Sequence, residues 1–571
     1  MGGDATIGCD VLVIGSGAGG MTAALTARLL GLDVVIAEKD RWFGGTTALS
    51  GGWLWVPCSP QARRAGIGDS IDDARLYLQH ELGPRFDARL VDAFLEAGPR
   101  MVEFLEERTA LRFFLGTTYP DYHPAQPGGL PAGRSICAEP FDARALGDWM
   151  RVLRPPVSEL TLFGLKVGSG PDFHHFFNAR RSLRSALYVL RRIARHGRDV
   201  LLHGRDLLLM SGNALAGRLG SSVRGLGIPL LLESPALELI VEGGRVCGAW
   251  IEREGRRVRV DARRGVVCAA GGFSWDMPRR HALYPHHPEG ATHLSLVTRG
   301  NTGDGLRMAQ QAGAVLRHAS SPGSWMPMSR VPRRDGSFAT YPHSYERGKP
   351  GVIAVNREAR RFANESNSYH DFVEALLAAR ARGDERPPVA YFICDSAFVR
   401  RYGLGIAKPF PLPRSHYLRS GYLRRADSLP GLARLLALDE ERLAHTVREF
   451  NEGARRGVDP LFGRGDNVYN RYHGDAALGL PNPCLAPIEQ APFYAVEVLP
   501  GDLGTFTGLA TDEHARVLRE DGQPIAGLYA AGCDMASLFG GVYPGAGTNL
   551  GPAMTFGYLC ARHLAGQVAE G

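Results

Sequence analysis

The chain of 571 residues has no run of 18 apolar residues, so it offers no candidate membrane-spanning helix. Its nine cysteines (Cys9, Cys58, Cys137, Cys247, Cys268, Cys394, Cys484, Cys533 and Cys560) are scattered, with no CxxC, CxxCH or cluster spacing. That argues against a metal site and fits a reducing compartment. No signal peptide precedes the first strand-like run, so a cytoplasmic location is expected. Internal repeats, low-complexity tracts and RNA-binding or zinc-finger signatures are missing. A formal net charge of +7 is modest at this length and does not argue for a nucleic acid partner. What remains is an ordinary globular composition, 44% hydrophobic and 22% charged, long enough for two or more domains.

The most informative stretch that is present is "CDVLVIGSGAGGMTAALTARLLGLDVVIAEKD". Val11 to Ile14 read as a buried parallel strand, and Gly15, Gly17 and Gly20 follow as GxGxxG. Ala23, Ala24, Ala27 and Leu30 supply a helical apolar face, and Val34 to Ala37 a second strand ending at Glu38. Glycines let backbone approach a pyrophosphate at a helix N-terminus, and the acid can accept ribose hydroxyls. Strand, glycines, helix, strand and acid in register make a dinucleotide site. No second GxGxxG followed by an acid appears, so bound NAD(P) is not implied.

Three later segments separate FAD from NAD. "FGGTTALSGGWLWVP", "RRGVVCAAGGF" and "GLYAAGCDMAS" resemble FAD-contacting stretches of the fumarate reductase-like flavoproteins. The resemblance implies cofactor contacts at Lys39, Gly45, Thr46, Ser50, Gly52, Ala270, Gly271, Gly532, Asp534, Asn549 and Leu550, besides Gly15, Gly17, Gly20 and Glu38. Covalently flavinylated relatives carry a histidine in the loop aligned with "TTALSGG". This loop has none, which implies non-covalent FAD.

Within that group the chain resembles the 3-ketosteroid Δ1-dehydrogenases over nearly its whole length. The resemblance rests on "GSGAGG", "GGTTALSGGWLWVP", "YPDYHPAQPGG", "GRSICAEPFDARALG", "NTGDG", "RRFANESNSYHDF", "PGDLGT", "GLYAAG" and "YPGAGTNLGPAMTFGY". It implies that the Tyr543 hydroxyl and the Gly547 amide bind the substrate's 3-keto oxygen. Two fixed donors of that kind stabilise enolate charge. It implies that Tyr369 accepts the C2 proton, that Tyr122 assists it, and that Tyr119 forms the neighbouring wall, with Ser50 also facing substrate. Tyr345, in "SYERGKPGVIAVN", is a second candidate base. The implied partners are a steroid or steroid-like ketone and an external electron acceptor, a quinone or another carrier. A fumarate reductase-like or enone-reducing activity is the enzyme alternative; the arginine-bearing "HGANR"-like segment it needs is replaced by "YPGAGTN". A non-catalytic binding protein on the same fold is the alternative of another class.

The expected fold is α/β: a Rossmann-like FAD-binding domain assembled from both chain ends, 1–314 and 496–571, with an inserted α+β substrate domain at 315–495. Residues 228–273 read as a β-meander. Residues 178–209 hold Leu183, Leu187 and Leu190 at helical spacing, among Arg180, Arg181, Arg184, Arg191, Arg192, Arg195, Arg198 and Arg205. Three readings stay open for this segment: a solvated arginine face on a docked helix, an oligomer contact, or peripheral contact with an anionic membrane.

Overall fold

The computed structural model describes residues 6–179, 181–380, 386–409 and 412–567. The first sheet is nucleated by Thr6–Ile14, whose apolar second half is fully covered. It pairs in parallel with Val34–Ala37 on one side and Arg256–Cys268 on the other. Leu230–Leu231 extends the edge beyond Val34–Ala37. The 13-residue strand Arg256–Cys268 serves two further partners besides Thr6–Ile14. Its first half closes the meander Ala236–Glu242, Arg245–Arg253; its last residues, Val266 to Cys268, pair in parallel with Leu528 to Ala530. The two chain ends therefore meet on one sheet, as the α/β expectation required.

Helix Ala18–Leu29 begins directly after the glycine turn and packs against the C-terminal helix Leu550–Leu564. Gly15 takes φ +109°, and a Cβ there would lie 2.2 Å from the carbonyl oxygen of Ala269. Only glycine lets the first turn approach the end of the Arg256–Cys268 strand this closely.

The second sheet has the order Phe338–Pro342, Gly323–Pro332, Phe493–Thr505, Ala390–Cys394, Val352–Val355. Leu294–Ser295 and Arg424–Ala426 also pair with Phe493–Thr505. The expected division at 495/496 cuts this 13-residue central strand, and Leu294–Ser295 joins the sheet from before residue 315. The strand starts in the core of the second sheet and ends beside the first, where Thr505 Oγ1 donates to the Cys533 carbonyl at 3.3 Å. One continuous strand thus carries the chain from the substrate half into the cofactor half.

Residues 158–179 and 181–203 form a cap of a short hairpin and two helices, Pro171–Asn178 and Leu183–His203. The longer helix turns its apolar face outward. Leu183, Leu190 and Leu201 are 78%, 63% and 85% exposed, whereas Ser185, Arg192 and Asp199 are buried. The reason is Asp172, which accepts from Tyr188 Oη at 2.7 Å and Arg192 Nε at 3.3 Å and so selects the polar face for docking. A solvated arginine face therefore describes this helix incompletely, since its leucines are also in solvent. Arg180 lies outside the described residues. No described helix is long and apolar enough to cross a membrane.

Candidate active site

One cavity of about 1630 Å³ runs from the glycine turn to the tyrosines. At its nucleotide end the helix Ala18–Leu29 starts at Gly17, which has no side chain to cap its first turn. The Ala18 amide donates to Thr47 Oγ1 at 2.9 Å, which ties the turn to the Gly45–Leu49 loop. Glu38 holds the turn from the other side: its Oε2 accepts from Ser16 N at 3.0 Å and Ser16 Oγ at 2.5 Å. The helix N-terminus, the glycines and an acid at the strand end form a cradle whose donors and acceptor suit a pyrophosphate and a ribose. A second helix N-terminus, at Asn549–Leu550, also opens on the cavity.

At the other end three phenols meet. Tyr122 Oη donates to Tyr369 Oη at 3.1 Å. The Tyr122 and Tyr543 rings stack at 5.4 Å, 9° apart, and Tyr369 stands edge-on to Tyr543 at 5.1 Å. The three come from chain positions hundreds of residues apart, and each pair of segments is stitched separately. The Tyr122 amide donates to the Pro544 carbonyl at 2.9 Å. His370 accepts from Trp325 N on Nδ1 at 3.1 Å, so its proton sits on Nε2, which donates to the Gly541 carbonyl at 3.0 Å. His123 lies between Glu81, 2.6 Å from Nδ1, and Asp371, 2.9 Å from Nε2. It thereby clamps the Tyr122 segment to the Tyr369 helix, Tyr369–Ala378.

Electrostatics follow from burial. Burial pushes Tyr122 and Tyr369 well above the ordinary phenol value, and Tyr543 up to about 12, although Tyr369 and Ser324 face the Tyr543 hydroxyl and oppose that rise. The resting phenols are therefore protonated donors at neutral pH. Burial alone would neutralise His123, but the Asp371 and Glu81 carboxylates raise its pKa well above the usual histidine value. Asp534, pushed up to about 6 by burial, accepts from Ala270 N at 2.7 Å and Gly272 N at 2.9 Å.

Tyr119, Tyr122, Tyr369, Tyr543 and Gly547 all line the cavity, as do Gly15, Gly17, Glu38, Lys39, Gly45, Thr46, Ser50, Gly52, Ala270, Gly271, Gly532, Asn549 and Leu550. Gly20 and Asp534 stand behind the wall. A Cβ at Gly20 would sit 2.1 Å from the Gly15 carbonyl oxygen, so Gly20 packs helix on turn; Asp534 shapes the Ala270–Gly272 turn. Lys39 lines the cavity with its ammonium committed to Asp304 Oδ2 at 2.6 Å and Thr302 Oγ1 at 2.7 Å. Tyr345 also faces the cavity, but within a different group: Phe173 at 4.6 Å and the Lys349 ammonium 4.1 Å above its ring. No histidine is among the described residues that line the cavity.

Sequence reasoning missed His123, His370, Asp371 and Glu81. The first three stand next to or near the predicted tyrosines in "YPDYHP" and "NSYHDF", which was the available signal. Glu81 sits in an unremarkable helix and had none.

The family model described as "FAD binding domain" matches residues 10–550. A 4-oxocyclohex-2-ene-1-carboxylate 5-dehydrogenase of Sinomonas cyclohexanicum is 41% identical, over 98% of this chain and 94% of that protein. A 3-oxosteroid 1-dehydrogenase of Mycolicibacterium smegmatis is 37% identical, over 98% of each chain. The 3-ketosteroid Δ1-dehydrogenase of Sterolibacterium denitrificans, solved with 1,4-androstadiene-3,17-dione, superposes with a TM-score of 0.91 at 37% identity, covering 98% of this chain and 100% of that one. A family model matched over residues 10–550 and full-length relatives at 37–41% identity make the chain a member of the FAD-binding oxidoreductase family that includes the 3-ketosteroid Δ1-dehydrogenases.

Proposed function

We propose that the protein dehydrogenates the 1,2 bond of a 3-ketosteroid or a related cyclic ketone, using FAD. The observation that carries this reading is the meeting of Tyr122, Tyr369 and Tyr543 on the same cavity as the nucleotide cradle. The Tyr543 hydroxyl and the Gly547 amide hold the ketone oxygen and polarise it. One such donor aimed at developing oxyanion charge is typically worth roughly 3–4 kcal/mol of barrier. Tyr369 takes the proton from the carbon beside the carbonyl. A protonated phenol accepts only as it gives up its own proton, so for Tyr369 to pass that proton to Tyr122 Oη, 3.1 Å away, Tyr122 turns from donor to acceptor and hands its own proton on. Tyr119 faces Tyr122 in turn, and its ring packs on half-exposed Tyr472, which extends the chain of phenols toward solvent. FAD, when bound, supplies the acceptor for hydride from the next carbon. An external acceptor, a quinone or another carrier, takes the electrons onward. The FAD is held without a covalent bond, in keeping with a cavity wall that bears no described histidine.

The test is anaerobic bleaching of the bound flavin by a panel of 3-ketosteroids, their 3-hydroxy counterparts and dicarboxylates. Ketones should bleach it and alcohols should not, because an alcohol forms no enolate. Equal rates for alcohol and ketone would overturn the reading. A monocyclic keto acid is a second substrate reading, favoured by the 41% identical relative.

The cap supports a peripheral contact with an anionic bilayer. Exposed Leu183, Leu187, Leu190 and Leu201 share its surface with exposed Arg184, Arg191 and Arg198, and Phe163 is 85% exposed nearby. Sedimentation with anionic vesicles at low and high salt tests this. No binding at low salt would refute it.

A further inference from the structure

The part of the cavity under the cap is electrostatically lopsided. Lys166, Arg181, Arg400, Arg401 and Lys408 line it, against the single carboxylate of Glu346 among the described residues there. Arg181 is paired with Asp475 at 3.3 Å. Glu346 is already engaged: its Oε1 accepts from His343 Nδ1 at 2.6 Å and from the Gly405 amide at 3.2 Å. Arg400 and Arg401 are exposed at the rim, while Lys166 and Lys408 stand inside it.

Lys166 is the informative one. It projects from the cap hairpin toward the loop that bears Ser50, and its ammonium donates to the Ser50 carbonyl at 3.3 Å. An ammonium has three protons to place, and here the acceptor in reach is a single neutral oxygen. No carboxylate among the described residues lies against it; its titratable neighbour is the Cys137 thiol, which burial keeps protonated and neutral. Burial pushes its pKa down to about 8, the response of a cation enclosed without a counter-ion. Lys166 shares the cavity with the glycine turn at Gly15–Ala18 and with the tyrosines, and its ammonium lies against Ser50, just after the Gly45–Leu49 loop. An anion arriving with the substrate would complete the site.

We propose that Lys166, with Lys408 and the rim arginines, forms a carboxylate-binding subsite, and that the ketone turned over here carries an acid group remote from its carbonyl. This rests on the ketone-dehydrogenase reading and narrows its substrate class. Lys166 holds the carboxylate by a charge-assisted hydrogen bond, Lys408 adds positive potential from the second sheet's side, and the rim arginines draw the acid in.

The experiment compares matched pairs in the holoenzyme: a 3-ketosteroid whose side chain ends in a carboxylate against its methyl ester, and a monocyclic 4-oxo acid against its ester. The readout is the bimolecular rate constant for anaerobic flavin reduction. The wild type should prefer the acid by roughly 10–100-fold in at least one pair, the usual worth of a hydrogen bond to a charged group. Lys166→Met should bring that ratio close to one, and Lys166→Arg should retain most of it. A ratio near one in the wild type overturns the proposal, and that comparison needs no variant to fold. So does a Lys166→Met enzyme that slows acid and ester equally. If esters and neutral ketosteroids bleach the flavin without preference for acids, only the subsite is refuted. If no ketone bleaches it, the ketone-dehydrogenase reading falls first.

Discussion

Gly547→Ala tests the carbonyl-binding corner directly. Gly547 sits at φ +105°, and a Cβ built there would lie 2.4 Å from both Leu54 Cα and Trp55 N. Those neighbours are backbone atoms of the Trp53–Trp55 strand, so no side chain can swing aside to make room. Ordinary contact begins near 3.4 Å, so one segment must retreat by about 1 Å, and misplacement of that size is enough to cost on the order of a hundredfold in rate. Because the amide of Gly547 moves with it, the substrate loses one of its two oxyanion donors. That loss corresponds to roughly 2.7–4 kcal/mol, a 100- to 1000-fold fall in the rate of flavin reduction by a 3-ketosteroid. The unfavourable φ adds about 1–3 kcal/mol of strain, which lowers thermal stability but not the chemistry. Gly479→Ala isolates that strain, since Gly479 has φ +65° and open space around it. The assay is anaerobic stopped-flow flavin reduction at saturating ketone, with FAD content measured on the same sample. A Gly547→Ala protein that retains full FAD and reduces it within threefold of the wild-type rate would refute the assignment of this amide.

Other substitutions separate the remaining roles. Tyr369→Phe should lower kcat by roughly 10²–10⁴-fold with little change in ketone affinity, since a base acts in the transition state; a mild Tyr369→Phe beside a dead Tyr345→Phe would move the base to Tyr345. Tyr543→Phe should slow flavin reduction by about a hundredfold or more, and a near-normal rate would remove the phenol from the oxyanion pair. The His123 clamp carries a pH signature. Its raised pKa means that its contribution is complete at and below the ordinary histidine value and is lost as pH rises through the folded value; the lowered pKa of Asp371 means its share is lost only in acid, as pH falls below the ordinary carboxylate value through Asp371's own folded value. Wild-type thermal stability should therefore sag on the alkaline side, and an identical alkaline sag in His123→Gln would discount the clamp. Acid precipitation should release all FAD into the supernatant, whereas a yellow pellet would contradict non-covalent binding.

The features readable without coordinates were those written in short contiguous stretches. GxGxxG between two apolar runs and before an acid demands a strand, a tight turn and a helix start at a glycine, because local sterics and periodicity act over a few residues. Glu38 is thus found against Ser16 at the turn, and the tyrosines of "YPDYHP", "NSYHDF" and "YPGAGTN" all line one cavity. Glycine at 547 was equally local in the sequence, although the strand that requires it lies almost five hundred residues earlier.

What tertiary structure decided were choices between partners distant in the chain. Periodicity marked Leu183, Leu187 and Leu190 as one helix face, but the buried pairing of Arg192 with Asp172 turned that face to solvent. The resemblance implies Lys39 as a cofactor contact, and in the fold Asp304 holds its charge. His123, His370 and Asp371 resembled motif filler until the fold set them between the tyrosine segments. The expected domain division at 495/496 falls inside Phe493–Thr505, which is the central strand of a sheet. Backbone dihedrals and hydrophobic period are set by neighbours along the chain, whereas ion pairs, docked faces and the stitching of a site depend on which surfaces pack, and that is settled only when the whole chain is folded.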